Sequence, residues 1–501
     1  MRTQRISRAD VGLRSERGPV LLAVMLSIGL VAIDTTILAT AVPSVVDDLG
    51  GFTQFPWLFS VYLLTTAVTV PIYGKVADLI GRKPVILIGI GLFVGGSVLS
   101  GFAWSMTSLI VFRAIQGLGA GAVQPMGMTI VGDIYSLEER AKVQGYIASV
   151  WAIASLLGPT LGGVFSDYVS WRAIFFVNVP LGLAAVVMLQ RRFREKVVRR
   201  QTTVDWAGAL LLTAGGVLLL LALLEGGQRW AWDSTASILL FALAIVLLVG
   251  FWYAELRATD PVLPLWVFRR RVLNAANAGS LLVGVVMLGL SSYVPLFAQG
   301  VLGHGAVVAG LALAGMTFGW PVASSQAGRI FLRFGFRATV LLGAVFSVAG
   351  GFLLLTVDGD SSIWWLGVPC LVMGLGFGWV VSPGVVAAQS SVDWQSRGVA
   401  TGANMFARSV GSAIGVAVFG AVANNVVAGR LGGRVPSLDR LSAGDLEPAL
   451  HTVFVVAAFV SIPLLAAGAL MPKRIAQPGL VVAGAAENEP VAPDSAVVTE
   501  E

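Results

Sequence analysis

Apolar runs of about 20 residues recur along almost the whole chain, and they constrain the fold more than any other feature. As an α-helix, a run of that length spans the ~30 Å hydrocarbon core of a bilayer. The 501 residues are 56% hydrophobic and 12% charged, whereas a soluble domain has roughly 25% charged residues. A transmembrane β-barrel would alternate apolar and polar residues in segments of ~10 residues. The sequence therefore predicts an all-α polytopic membrane protein.

Counting these runs predicts about fourteen transmembrane helices. The first run, predicted at 19–42, is too long for the apolar part of a signal peptide, so we interpret it as a retained helix. The predicted organisation is a basic N-terminal tail (1–18), a six-helix bundle (19–190), a basic linker (191–204), two inserted helices (205–253), a loop (254–271), a second six-helix bundle (272–472) and a disordered acidic tail (473–501).

Most of the 33 Lys and Arg residues fall into alternate loops, which places them on one side of the membrane. By the positive-inside rule that side is the cytoplasm, so both termini are predicted to be cytoplasmic in a multi-pass protein of the cell membrane. The formal net charge of +6 therefore gives no reason to expect a nucleic-acid partner. The Ala-, Gly-, Val- and Arg-rich composition favours a bacterial source.

The chain contains an internal repeat. The segment GKVADLIGRKP, at 74–84, follows the second predicted helix, and GRIFLRFGFRA, at 328–338, follows the tenth. Each occupies the same place within a six-helix set once the inserted pair is set aside. Two such halves around a cavity at the membrane midplane are an architecture of secondary transporters.

Two charged residues of the first six-helix set, Asp34 and Arg113, lie inside predicted membrane helices. A charge at that depth costs at least ~2.5 kcal/mol and normally faces protein or a water-filled cavity. Asp34 is ~13 Å from the outer end of its helix and Arg113 is ~10 Å from the outer end of its own, so the two charges reach a similar depth. A proton-coupling pair and a static ion pair that holds helices together are the two interpretations.

Several segments, in a fixed order along the chain, carry a resemblance to a known family. They are IDTTILATAVP from Ile33, GKVADLIGRK from Gly74, LIVFRAIQGLGAGA around Arg113, ASLLGPTLGG ending at Gly163, and WRAIFFVNVPLG from Trp171. Together they resemble the motifs of the major facilitator superfamily, and in particular of its fourteen-helix drug/proton antiporter branch.

The resemblance implies two further groups of site residues. The first is a cytoplasmic gate that holds an outward-facing state, formed by Gly74, Asp78, Gly81 and Arg82. The second is an antiporter hinge or seal between the half-bundles, formed by Gly158, Pro159, Gly162 and Gly163. The basic residues of the gate also fit the positive-inside rule, and the glycines also fit simple close packing.

The chain departs from the family pattern at three positions. Ala39 replaces a usual Asn near Asp34, Ala154 replaces a Gly in the antiporter motif, and Leu332 stands at the repeat position that matches Asp78. The two halves are therefore not expected to close in the same way.

Arg408 is a second intramembrane cation, and no acidic residue lies inside the second-half helices to pair with it. Because exposing it to lipid is costly, we expect it to face a cavity. Other candidate cavity-lining residues are Trp57, Tyr62, Gln116, Gln124, Met126, Trp151, Asn274, Asn277 and Asn404.

The sequence lacks the motifs of an ATP-driven pump or a metalloenzyme. It has no GxxxxGK[ST] loop and no HExxH or CxxC motif, and its single Cys370 excludes an intramolecular disulfide. No cofactor or metal is expected, and the chain is not expected to be an enzyme. The predicted function is export of amphipathic, often cationic, small molecules in exchange for protons, by a protein that works as a monomer. The alternatives are a dedicated metabolite or lipid exporter, a membrane-embedded enzyme and a receptor.

Overall fold

The computed structural model describes residues 11–50, 54, 57–195, 205–226, 230–258, 261–431 and 442–474. Most of these residues are helical, and fourteen of the described helices are long and apolar enough to cross a membrane. The predicted class, an all-α polytopic membrane protein, is therefore confirmed. The predictions for most of the two terminal tails and of the basic linker fall on 1–10, 196–204 and 475–501, which lie outside the described residues.

The first six spanning helices come before the basic linker, and the inserted pair follows it. The first six are α1 (Gly18–Leu49), α2 (Trp57–Ile80), α3 (Arg82–Gly101), α4 (Met106–Ile134), α5 (Leu137–Tyr168) and α6 (Ala173–Arg192). The sixth is interrupted at Val177. The inserted helices are α7 (Trp206–Glu225) and α8 (Thr235–Arg257).

The last six spanning helices follow a single helical turn at Trp266–Arg269. They are α9 (Arg271–Gly300), α10 (Ala306–Phe334), α11 (Phe336–Leu354), α12 (Ile363–Ser390), α13 (Arg397–Leu431) and α14 (Ala443–Leu470). The fourteenth is interrupted at Ile462. Odd- and even-numbered helices run in opposite directions, and two ends of the bundle are named below after Arg82 and Asp48.

The two sets of six helices pack alike. In the first set α1 packs on α5 and α4 packs on both α2 and α3; in the second set α9 packs on α13 and α12 packs on both α10 and α11. The sets meet along two equivalent helix pairs, α2 with α13 and α5 with α10. This arrangement is the predicted pair of six-helix bundles.

The internal repeat corresponds to a repeated hairpin. Gly81 alone separates α2 from α3, and Gly335 alone separates α10 from α11. Their φ angles are 102° and 91°, which is a left-handed region that only glycine adopts readily. The glycine spacing in the repeat therefore encodes two equivalent tight turns.

The inserted helices lie at the edge of the interface between the two sets. α7 packs on both α2 and α13, with Leu220 against Leu64 and Ala413, whereas α8 packs mainly on α7. Glu255 of α8 accepts hydrogen bonds from the backbone nitrogens of Val262 at 2.9 Å and Leu263 at 3.1 Å. Its carboxylate therefore holds the chain that leads from the inserted pair to the second set.

Several helices are longer than the hydropathy of the sequence predicts. α1 continues to Leu49, seven residues beyond the predicted 19–42. α5 begins at Leu137, five residues before the predicted start of that helix at position 142. At Leu137 the start is fixed by a capping box, in which Ser136 and Glu139 satisfy each other's backbone N–H groups. Hydropathy detects only the apolar portion of such a helix, so the polar extensions were missed.

Candidate functional site

Asp34 and Arg113 form a direct ion pair inside the first six-helix set. Asp34 lies on α1 and Arg113 on α4, their closest side-chain atoms are 2.5 Å apart, and each side chain is 1% exposed. The similar depths inferred from the sequence are therefore realised as contact. The pair lies within one half of the molecule and is enclosed by its helices.

The Asp34 carboxylate receives two further hydrogen bonds. Gln116 Nε2 donates to it at 2.7 Å and Asn178 Nδ2 donates at 3.0 Å. Ser97 accepts hydrogen bonds from both amides, at 3.3 Å from Gln116 and 2.9 Å from Asn178. The carboxylate thus bonds directly to side chains of α4 and α6, and the two amides connect it to Ser97 of α3.

Arg113 has partners besides Asp34. Its guanidinium donates to Gln116 Oε1 at 2.7 Å and to the Leu58 carbonyl at 3.4 Å, and it lies 4.2 Å from the centroid of the Tyr62 ring. These contacts offer the cation alternative partners on α2 and α4. Arg113 can therefore stay solvated by protein if the bond to Asp34 breaks.

A second cluster joins the two halves at the Arg82 end. Asp78 of α2 accepts hydrogen bonds from the backbone nitrogens of Gly398 at 3.1 Å and Val399 at 2.9 Å, which are the first residues of α13 after Arg397. Arg82 pairs with Asp78 at 2.8 Å and with Asp133 at 3.0 Å. An anion at a helix N-terminus is favourable, so Asp78 caps a helix of the other half.

Arg82 also contacts the second half directly. It donates to the Trp394 carbonyl at 2.6 Å and lies 3.9 Å from the centroid of the Trp394 ring. Arg397 of α13 completes the cluster by pairing with Asp133 at 3.0 Å. We call Asp78, Arg82, Asp133, Trp394 and Arg397 the latch.

Glycines allow the close approach that the latch needs. A Cβ on Gly74 would lie 2.6 Å from the Gly398 carbonyl oxygen, so α2 and α13 touch through their backbones there. At the repeat position, a Cβ on Gly328 would lie 2.5 Å from the Cα of Ala141, where α10 meets α5. The two interfaces are therefore equivalent in packing, although Leu332 replaces Asp78 on the second.

The structure gives a physical reason for that asymmetry. The start of α5 is capped by its own Ser136 and Glu139, so it needs no acceptor from α10. The start of α13 takes its acceptor from Asp78 instead. Side chains thus cap both helix starts, Ser136 and Glu139 at α5 and Asp78 at α13, although Leu332 stands at the repeat position of Asp78.

At the opposite end of the first set, Asp48 of α1 binds the beginning of the WRAIFFVNVPLG segment. Arg172 Nη1 donates to the Asp48 carboxylate at 2.6 Å and Trp171 Nε1 donates at 3.0 Å. These hydrogen bonds hold the pKa of Asp48 below its usual range. The same segment supplies Asn178 to Asp34, so this motif ties α1 to α6 at two depths.

The hinge glycines differ in their surroundings. α5 is continuous through Gly158 and Pro159. A Cβ on Gly158 would lie 2.6 Å from Thr36 Cβ, whereas a Cβ on Gly163 would meet no atom within 4 Å. Gly162 is buried. Gly158 therefore permits close packing of α5 on α1, and Gly163 is not needed for such packing.

The candidate cavity residues are placed in three kinds of environment. Tyr62, Gln116, Met126 and Asn404 are buried at 3%, 0%, 0% and 2% exposure, and their positions are accounted for by packing or by protein partners. Trp57, Gln124, Trp151, Asn277 and Arg408 are partly exposed, and Asn274 is exposed. The first group supports the bundle around the ion pair and around Ser280, to which Asn404 bonds at 2.9 Å.

A pocket of ≈ 410 Å³ lies between α9 and α13 near the Arg82 end. Its walls are largely apolar and include Leu263, Phe406 and Val410, with Asn274 and Asn277 as polar members. Asn274 therefore lines a lateral pocket, while Asn277 also accepts from Asn404 at 3.3 Å.

Sequence reasoning missed four residues that the structure places in these clusters. They are Asn178 beside Asp34, and Asp133, Trp394 and Arg397 in the latch. A signal was present for Asn178, which is a lone amide inside an otherwise apolar segment. Asp133, Trp394 and Arg397 sit at helix ends on the same side as Arg82, where a charge search could have found them.

Known proteins share both the sequence pattern and the fold. The model of the Major Facilitator Superfamily matches residues 24–416. The chain is 36% identical over 437 residues to the multidrug transporter protein MdtP of Bacillus subtilis (strain 168), covering 86% of this chain and 80% of that protein. It is 35% identical over 412 residues to multidrug resistance protein 3 of the same organism, covering 82% and 80%.

A solved structure has the same architecture. The human organic anion transporter MFSD10 (TETRAN) aligns with a TM-score of 0.61 at 16% identity, covering 89% of this chain and 99% of that one. At this identity the likeness concerns the fold alone. With the family match and the two relatives, it leads to one conclusion: the chain is a multi-pass membrane transporter, not an enzyme, and belongs to the major facilitator superfamily.

Proposed function

We propose that this transporter exports amphipathic small molecules across the cell membrane in exchange for protons, by alternating access. Two relatives named as multidrug proteins, each about 35% identical, support export of this kind. The proposal includes cytoplasmic termini and two six-helix domains, 19–190 and 272–472, that move against each other. A dedicated exporter of one metabolite or lipid is the second candidate, since the same fold serves either.

The observation that carries the proton coupling is the enclosed Asp34–Arg113 pair. Burying a carboxylate in the membrane costs free energy unless protein groups bind it. Asp34 of α1 accepts hydrogen bonds from three side chains, two on α4 and one on α6. Protonation of Asp34 would remove its charge and release Arg113 towards Gln116, Tyr62 and the Leu58 carbonyl. The contacts between α1, α4 and α6 would then rearrange, which links proton occupancy to the shape of the first domain.

The latch supports the alternating-access part. Its residues join α2, α3 and α4 to the start of α13, and so join the two halves at the Arg82 end. If that end is cytoplasmic, as the positive-inside rule predicts, the structure corresponds to a state closed towards the cytoplasm. Opening that end requires these ion pairs and helix-cap contacts to separate.

The predicted preference for cationic substrates is not part of this proposal. Asp34 is 1% exposed and already paired with Arg113, so its charge is not offered to a bound cation. The proposal therefore specifies amphipathic compounds without specifying their charge.

The test is susceptibility profiling of bacterial cells that lack their own efflux pumps. Cells that express the protein should tolerate higher concentrations of several unrelated drugs or dyes, and a protonophore should abolish that tolerance. Cells with equal membrane levels of the Asp34→Asn protein serve as the matched control. Tolerance that survives the protonophore, or that extends to a single compound, would favour another energy source or the dedicated exporter.

A further inference from the structure

Arg408 is a cation deep in the second domain without an acidic partner. It lies eleven residues after Arg397, which places it ~16 Å along α13. None of the helices α9 to α13 contains Asp or Glu. Within the described part of the chain, its guanidinium takes part in no hydrogen bond or ion pair. A charge at this depth without a partner is costly, so its retention calls for a ligand.

The face of α13 that carries Arg408 points into the bundle. Thr401, seven residues earlier, lies on the same face because seven residues make about two helical turns. Thr401 accepts a hydrogen bond from Gln389 of α12 at 3.0 Å, and Gln389 also donates to the Met128 carbonyl of α4 at 3.2 Å. The face of Thr401 and Arg408 is therefore directed towards the junction of the two domains.

The opposite face of α13 lines the lateral pocket between α9 and α13. Phe406 lies two residues before Arg408, about 200° around the helix, and lines the lateral pocket. On the α9 side, a Cβ on Gly284 would lie 3.2 Å from the carbonyl carbon of Arg408, so the backbone there is packed firmly. The Arg408 side chain nevertheless remains partly exposed. The Arg408 side chain therefore has free space beside it, while its backbone is closely packed against α9.

The two domains differ in the charge that they leave unpaired at mid-depth. In the first domain Asp34 and Arg113 neutralise each other. In the second domain the positive charge of Arg408 is not balanced by any residue of α9 to α13. An amphipathic molecule between the domains therefore meets a net positive potential from these three residues.

We propose that Arg408 binds the anionic group of an amphipathic substrate, such as a carboxylate or a sulfonate, and that it makes the transporter prefer anionic over cationic compounds. The proposal rests on the proposed export function. The guanidinium suits such groups, because its planar donors match carboxylate geometry and stay charged. A hydrogen bond to a charged group would favour the anion over its neutral analogue by about 10-fold or more.

The experiment uses the full chain in lipid nanodiscs and three fluorescent probes of one skeleton. These are pyrenebutyrate, its neutral amide and the corresponding trimethylammonium compound, measured at neutral pH in chloride-free buffer with empty nanodiscs subtracted. The variants are Arg408→Gln and Arg408→Lys. Arg430→Gln is the matched control, since Arg430 lies on the same helix and is exposed.

The expected result is that the wild type binds the carboxylate about 10-fold more tightly than the amide. In the Arg408→Gln protein the carboxylate and the amide should bind with similar affinity. The Arg408→Lys and Arg430→Gln proteins should still bind the carboxylate more tightly than the amide. The comparison of carboxylate and amide affinity in the wild-type protein requires no variant, so it tests the inference even if the Arg408→Gln protein fails to fold.

Two results would overturn the inference and leave proton-coupled export intact. One is wild-type binding of the amide or the trimethylammonium compound as tight as that of the carboxylate. The other is an unchanged carboxylate preference in folded Arg408→Gln protein. If no probe of any charge binds, the export function itself is contradicted and the inference fails with it.

Discussion

The carboxylate of Asp78 in α2 lies 2.9 Å from the backbone nitrogen of Val399, at the start of α13 in the other domain. One side chain thus caps a helix that is more than 300 positions away in the sequence, and it also pairs with Arg82 at 2.8 Å. A contact of this kind stabilises only the state in which α2 and α13 are together. In the proposed alternating-access cycle, its strength therefore contributes to the balance between the two states.

Asp78→Asn should shift that balance and slow turnover more than it weakens substrate binding. Asn keeps one acceptor for the α13 backbone but loses the charge that pairs with Arg82 and favours the helix N-terminus. We expect the state open at the Arg82 end to gain population, measured as faster labelling of a cysteine introduced at that end into a Cys370→Ser background.

Leu332→Asn is the control for this prediction, because Leu332 occupies the repeat position and the start of α5 has its own cap. It should leave the labelling rate unchanged. An Asp78→Asn protein whose labelling matches wild type, with affinity lost instead, would mean that this hairpin only anchors the helices.

The latch also shows where sequence reasoning reaches its limit. The tight turn at Gly81 could be identified because its glycines recur at 328–338 within one chain, whereas Asp78 was implied by the family resemblance, since Leu332 stands at its repeat position. Their partners Trp394 and Arg397 have no periodic relation to α2, and they meet it only through packing of two distant domains. Such contacts depend on the relative placement of domains, which local pattern does not determine.

The contact between Asp34 and Arg113, unlike the contacts of Trp394 and Arg397, could be predicted from the sequence. The depth of Asp34 and Arg113 follows from counting residues along two helices that run in opposite directions, so their meeting could be predicted. Asn178 could not be assigned in the same way, because an amide in a membrane helix commonly serves packing and its direction depends on the break at Val177. The structure shows that it donates to Asp34 at 3.0 Å.

The hinge glycines should respond unequally to substitution. Gly158→Ala places a methyl group 2.6 Å from Thr36 Cβ, and overpacking of this kind typically costs about 1–3 kcal/mol. Gly163→Ala meets no atom within 4 Å and should be nearly neutral. Thermal unfolding of both proteins in the same detergent measures the difference. Equal melting temperatures would show that α1 and α5 are not in tight contact at Gly158.

The direction of the chain in the membrane is testable with reporter fusions. Fusions after Arg200 and after Arg271 should both report the cytoplasm, because these positions follow the basic segments on the predicted inner side. A fusion within the loop between α7 and α8 should report the outside and serves as the control. A cytoplasmic signal from all three would mean that the inserted helices do not both cross the membrane.

The Asp48–Arg172 pair predicts a small acid-dependent loss of stability. Hydrogen bonds from Arg172 and Trp171 hold the pKa of Asp48 below its usual range, so the folded state releases this proton more readily than the unfolded chain. The stabilisation is therefore present above the ordinary Asp pKa of about 4 and is lost as pH falls through the lower folded value. The Arg172 side chain is 35% exposed and the Asp48 side chain is 47% exposed. The pair's contribution to the free energy of unfolding should therefore be below about 1 kcal/mol.

The measurement compares thermal unfolding of wild type and Asp48→Asn in one detergent. Wild type should be slightly more stable at pH 7, and the difference should shrink as the pH falls below the ordinary Asp pKa of about 4. Asp47→Asn is the control, since Asp47 is the exposed neighbour on the same helix end. A difference that grows on acidification would contradict the assigned direction.

The last prediction concerns Asp34 itself. Asp34→Asn removes the titratable group but leaves Arg113 buried without its anion, which typically costs about 3–5 kcal/mol. Gln116, the Leu58 carbonyl and the Tyr62 ring offset part of that cost. We expect a less stable protein that still binds substrate, because Asp34 is 1% exposed and is enclosed by protein partners. Transport against a concentration gradient should fall to the level of empty vesicles.

A second variant separates coupling from structure. Asp34→Asn combined with Arg113→Gln replaces the ion pair by two neutral amides, so much of the lost stability should return while proton-driven transport stays absent. The measurement is substrate accumulation in vesicles with an imposed pH gradient, together with proton release on substrate binding and the melting temperature of each protein. If the double variant both regains stability and concentrates substrate, Asp34 serves only to hold α1, α4 and α6 together, because a chain without a titratable group at this position would still be coupled to protons.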